Sequence, residues 1–230
     1  MALRTSLFRD VDRSPDAIQA FERLLIAREG EEDLDPDIHV CRFVGFVDAA
    51  CRTVGCLLHP SAPGNSGQDL RGLCYYGSLA CKTFYCDAWH VIPHRYLTII
   101  SDVIHDWHLW GLVAADAEFV LCLFSLLETA IQQKIDPLRV KHGPAREILI
   151  SMVGWKNEWP MANRCRQRLS RYYHRPSKDF CAASCTEAIG ALTECLDFTF
   201  ATQSDPKATS RIIRSSIDRF AEFYKGEREA

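Results

Sequence analysis

A chain of 230 residues, 47% hydrophobic and 25% charged, is long enough to bury a core without disulfide staples. A formal net charge of −3 argues against a surface given over to nucleic acid. Charges in the opening MALRTSLFRDVDR exclude the apolar core of a secretion signal, and the longest apolar run, Phe119 to Leu127, is too short for a bilayer, so the expectation is a cytoplasmic protein without a membrane span.

Residues 15–28 predict a helix, with Pro15 in its first turn, Ser14 as cap and an apolar stripe of Ile18, Phe21, Leu24 and Leu25. The acidic run from Glu29 to Asp37 reads as a solvated linker. Two strand-like segments follow at 39–47 and 52–60, and the link Asp48-Ala-Ala-Cys51 is short enough for a hairpin. Residues 61–73 form a loop rich in Gly, Pro, Asn and Ser, and the chain then enters a short turn or helix with aromatic cover. Beyond Pro93 the pattern is helical: a stripe through Leu97, Ile100, Ile104, Trp107 and Leu112, then a strongly apolar helix over 115–133. Further helices are expected at 144–154, 160–174, 179–200 and 207–225, and no internal repeat is present. The expected fold is α+β and mainly α, a small cysteine-rich β-hairpin module packed on a helical bundle. Its expected parts are an N-terminal helix and acidic linker (1–37), the cysteine-rich module (38–90) and a helical region (91–230), the last two conceivably one compact body.

Eleven cysteines are many for this length, and six of them, Cys41, Cys51, Cys56, Cys74, Cys81 and Cys86, fall within 46 consecutive residues. In a reducing compartment such clustering suits metal binding, although buried thiols also serve as small apolar groups and a close pair can act in redox chemistry. The informative frame is C-x14-C-x24-C-x4-C, made by Cys41, Cys56, Cys81 and Cys86. Four converging thiolates suit zinc or an iron–sulfur cluster, and the frame does not choose between them. A hairpin would bring Cys41 near Cys56, and the following loop would return Cys81 and Cys86.

The segments CLLHP, DLR and CKTFYC resemble the second half of the zinc- or iron-chelating cysteine-cluster family (YkgJ-like) over about residues 39–87. The resemblance aligns Cys41 with a strand cysteine and Cys56, followed by His59 and Pro60, with the cysteine before a turn. Cys81, Lys82, Phe84 and Cys86 match the closing Cys-Arg-x-Phe-x-Cys. It implies metal chelation by cysteines. The closely spaced cysteines that open the family's pattern have no counterpart before Cys41.

Other residues are candidates of lower rank. Cys51 and Cys74 are substitute ligands, and His59 is a fifth or replacement ligand or else a hydrogen-bonding turn residue. Asp69 and Arg71 form either a local pair or a shell that orients the thiolates. His90, His94, His105 and His108, with Asp102 and Asp106, form a histidine-rich stretch without a zincin or di-iron pattern, and His94 and His105 are spaced to share a helix face. Cys122, Cys181 and Cys185 read as core. Arg164, Arg168, Arg171 and Arg175 form a helical stripe beside Tyr172 and Tyr173, a composition that could contact an anion or nucleic acid if it is not simply a solvated face. No Walker loop, dinucleotide fingerprint or hydrolase elbow occurs, so no catalytic motif, substrate or oligomeric state follows from the sequence.

Overall fold

A computed structural model describes residues 1–30, 41–74, 77, 81, 87–162 and 185–226. Among the described residues the chain is mainly helical with one two-stranded antiparallel sheet, and it divides into two compact units, Met1–Phe84 and Tyr85–Ala230.

The first unit opens with two helices, α1 (Ala2–Arg9) and α2 (Pro15–Glu29). The sequence pattern shows α2 but not α1, whose eight residues bury only Phe8. Pro15 does start α2, but Ser14 makes no side-chain cap; its own N–H is instead taken by Asp12 Oδ1 at 2.7 Å. The hairpin is formed by β1 (Val44–Phe46) and β2 (Val54–Cys56), paired Val44 with Cys56, Gly45 with Gly55 and Phe46 with Val54. Both strands are shorter than the alternation suggests. Val44 N–H turns back to the Cys41 carbonyl and His59 N–H to that of Cys56, and the last cross-strand bond runs from Leu57 N–H to the Phe43 carbonyl at 2.8 Å. At the other end Asp48 accepts backbone N–H groups of Ala50, Arg52 and Thr53 and shapes the connecting turn, where Cys51 adopts φ +52°.

One core ties these elements together. Phe8, Phe21 and Phe43 meet with ring centroids 5.0–6.3 Å apart, and Ile18, Leu25, Leu57, Leu58, Leu70 and Cys74 close around them. Gly45 lets α1 approach the sheet: an added Cβ would stand 2.7 Å from Thr5 Oγ1, which accepts the Phe46 N–H.

The loop after β2 is polar in sequence yet rigidly held. Asn65, 2% exposed, donates to the carbonyls of Leu57 and His59, both at 2.8 Å, and accepts from Arg13 Nε at 2.8 Å. Arg13 also lies over the Phe8 ring. The loop therefore rejoins the core at Leu70, whose N–H bonds the Leu58 carbonyl. Asn65→Ala removes three hydrogen bonds at once, those to the Leu57 and His59 carbonyls and that from Arg13 Nε, and is expected to cost about 1–3 kcal/mol. Urea unfolding followed by amide exchange at Leu58 and Leu70 checks this.

The second unit contains α3 (Asp87–Val91), α4 (His94–Val103), α5 (Trp107–Ala114), α6 (Ala117–Ile131), α7 (Gly143–Gly154), α8 (Cys185–Phe200) and α9 (Pro206–Gly226). The stripe expected to continue from Pro93 to Leu112 is broken. Ile104 turns extended, and Asp106 captures the Leu109 N–H at 2.7 Å to start α5. Asp116 likewise caps α6 through Phe119 N–H at 3.1 Å. No single described helix is long and apolar enough to cross a membrane; α5 and α6 together have the composition but bend by 84°. Every side chain of α6 from Phe119 to Leu127 is buried or half-buried, and α6 packs on α8 and α9, with α7 against α9. Within this core lies an ion pair: Lys156 (0% exposed) donates to Asp116 (1% exposed) at 2.7 Å and to Thr199. Residues 160–162 are not helical, so the helix expected to begin at 160 does not begin there. The remainder of that helix and the start of the 179–200 helix lie outside the described residues, as does most of the acidic run.

Candidate metal centre

The hairpin sets Cys41 and Cys56 at the same end of the sheet, just before β1 and at the end of β2. The Asn65-clamped loop then delivers a 3-10 turn, Arg71–Leu73, followed by Cys74. Four sulfurs share one neighbourhood. Cys41 and Cys74 interact most strongly, charge on Cys74 is felt at Cys41, Cys56 and Cys81, and charge on Cys81 is felt at Cys56 and charge on Cys56 at Cys41.

Backbone N–H groups two or three residues ahead favour the thiolate form of three of these sulfurs. Gly77 donates to Cys74 Sγ at 3.2 Å. The N–H of Phe43 favours the thiolate of Cys41, and that of Leu58 the thiolate of Cys56. Cys41 and Cys74 are shifted in opposite directions: the bond with Cys41 brings Cys74 down to about 6, while that same bond and burial push Cys41 up. Burial raises Cys56, and burial then the charge on Cys74 raise Cys81.

Arg71 links the parts. It forms a two-pronged pair with Asp69, both contacts 2.9 Å, and donates Nη1 to the Cys81 carbonyl at 2.9 Å. Asp69, foremost, holds the guanidinium charged, with further contributions from Cys56 and Cys81. Arg4 plays the matching part at Cys41, donating Nη1 to its carbonyl at 3.0 Å while pairing with Glu29, which also meets Arg42. The Arg4 hydrogen bond, with Arg42 behind it, lowers the Glu29 carboxyl below its ordinary 4.5. This stabilisation is present above pH 4.5 and is lost as pH falls through the depressed value. Glu29→Gln is therefore expected to be less stable than wild type at neutral pH, the difference closing below pH 4.5, as urea midpoints across pH would record.

Of the four ligands expected from the spacing, Cys41, Cys56 and Cys81 lie in the first unit, and Cys86 lies outside the described residues. Cys74, ranked in sequence only as a substitute, occupies the centre of the group. Cys51 does not join it: the residue is exposed in the turn at the opposite end of the hairpin. His59 holds Ser61, with Nδ1 2.6 Å from the hydroxyl, and serves the turn. Gly77 had no signal in the sequence beyond being a glycine. Among the described residues, no three His, Cys, Asp or Glu side chains already stand in the compact arrangement that holds a metal ion.

The remaining candidates fall elsewhere. His94 opens α4, whereas His105 lies in the break after it, so the two do not share a helix face. Asp106 is used as the α5 cap. Cys122 is core, but Cys185 is exposed, with Arg214 Nη1 4.0 Å from its sulfur, so the apolar stripe of α8 begins after it. Cys181 and Arg164, Arg168, Arg171 and Arg175 lie outside the described residues. No protein-family model, curated protein or solved structure matches the chain.

Proposed function

We propose that the N-terminal unit is a metal-binding module that uses cysteine thiolates to hold zinc or an iron–sulfur cluster, as the resemblance to the cysteine-cluster family implies. Its ligands are Cys41, Cys56 and Cys81, with Cys74 as the fourth sulfur; Cys86 belongs to the same expected set on sequence grounds. The observation that carries the reading is the Gly77 N–H donated to Cys74 Sγ at 3.2 Å, beside Cys41 and Cys56, whose thiolates backbone N–H groups also favour. A neutral core thiol has little need of such donors, whereas a metal-bound thiolate is stabilised by them. Arg71, paired with Asp69, holds the Cys81 carbonyl and offsets part of the negative charge that four thiolates bring.

Filled by zinc, four thiolates leave no open position, and the metal would act as a staple on a small unit. Filled by a cluster, the same sulfurs would support electron transfer or sensing. The test is metal content of protein purified without oxygen, compared with Cys56→Ser and Cys74→Ser. Stoichiometric metal in wild type and its loss in both variants supports the module. Unchanged metal in Cys74→Ser removes Cys74 from the ligand set.

A further inference from the structure

In the second unit, a cleft of about 670 Å³ opens between the first turn of α4 and the last two turns of α6. Its volume falls in the range of small-molecule sites, roughly 300–1,000 Å³. Its polar wall is built around Glu128, whose carboxylate is already saturated. Arg95 Nη2 reaches both oxygens at 3.1 Å, the Tyr96 hydroxyl donates at 2.9 Å, Ile135 N–H at 3.1 Å, and Lys134 Nζ stands 3.6 Å away. The sole acid lining the cleft therefore has no capacity left for a cation, and it faces two cations.

The donors, by contrast, are in excess. Arg95 uses Nη2 alone, toward Glu128 and the Tyr96 hydroxyl. Its Nε is buried without a partner, and Nη1 makes no hydrogen bond among the described residues. A guanidinium carries five N–H groups, and a buried one left unbonded calls for an explanation. Lys134 extends over the rim with its side chain 74% exposed. Ser125 and Thr129, one turn apart on α6, line the same cleft with hydroxyls that make no bond among the described residues. Thr98, Ser101, Thr193 and Thr199 instead return theirs to carbonyls four residues back.

We propose that this cleft binds a small hydroxylated oxyanion, a carboxylate or phosphate whose charged group meets Arg95 and Lys134 and whose hydroxyls meet Ser125 and Thr129. The stacked Tyr96 and Phe124 rings, centroids 4.2 Å apart, hold the floor that places Arg95. The inference is independent of the metal module.

The test is titration of the full chain at low salt with glycerol 3-phosphate, malate and inorganic phosphate, read by amide chemical shifts and by thermal midpoint. Saturable shifts at Ser125, Thr129 and Lys134 with at least one hydroxylated probe are expected, stronger than with inorganic phosphate. Which probe responds tells phosphate from carboxylate. Arg95→Met is expected to weaken binding by about tenfold or more. Because Arg95 also supports Glu128, Ser125→Leu and Thr129→Leu provide a second check, since they fill the cleft without touching that network. Both should abolish the shifts while leaving the unliganded midpoint near wild type. No shift with any probe, or shifts that persist unchanged in the two leucine variants, would overturn the proposal.

Discussion

Replacing Gly77 with alanine is expected to collapse the cysteine-bearing unit. A Cβ there would stand 1.6 Å from the Arg71 carbonyl oxygen, 2.6 Å from its carbon and 2.8 Å from Cys74 Sγ. Two of those three atoms are backbone, so no rotamer relieves the clash, and the 3-10 turn Arg71–Leu73 must move. That movement pulls away the N–H bonded to Cys74 and displaces Arg71 from the Cys81 carbonyl. The expected loss is about 4 kcal/mol or more, at the upper end of single substitutions, together with most of the bound metal. Urea unfolding monitored at amides of β1, with metal analysis of the same sample, checks both. A Gly77→Ala protein with a wild-type midpoint would contradict the described turn.

The second large effect belongs to the helical unit. Lys156→Met leaves Asp116 as a buried carboxylate without its cation, a change expected to cost about 3–5 kcal/mol. Asp116→Asn keeps the cap on α6 but strands the Lys156 ammonium, whose remaining support is Thr199 and the Phe119 ring 5.3 Å away. It is expected to cost a similar amount. Combining Lys156→Met with Asp116→Asn removes both charges and should recover most of the stability, giving a strong positive coupling in a double-mutant cycle. Denaturant midpoints of the four proteins measure it. Additive losses would mean that the two charges do not support each other.

The parts legible in the sequence are those that local chemistry decides. The apolar period of 117–131 and of 206–226, the proline at the head of α2 and the short Asp48 link each specify their element with little help from the rest of the chain. The placement of Cys41 and Cys56 at one end of a hairpin is similarly readable, because the short link leaves few alternatives. What escaped depends on contacts between distant segments. Asn65 is one polar letter in a polar loop until Arg13, fifty-two positions away, closes on it. Cys74 rises above its substitute rank only because Gly77 and Cys41 converge on its sulfur. Lys156 carries no periodic signal that would place an ammonium in a core, and α1 is too short for a pattern to stand out. The helix break at Ile104 was missed for a related reason: one aspartate cap outweighs an apolar stripe that runs on through it.

We propose that the sulfurs of Cys41, Cys56, Cys74 and Cys81 hold a metal, and an absorption spectrum with metal and sulfide analysis of the full chain purified without oxygen tests this most directly. Bound metal in near-stoichiometric amount is expected: either a colourless protein with zinc, or a broad visible band with iron and sulfide. In both cases the metal should be lost from Cys56→Ser. A metal-free protein whose thiols all react freely with a thiol reagent would contradict it, and would leave the four cysteines as plain thiols, Cys74 buried, Cys41 and Cys56 half-buried and Cys81 exposed.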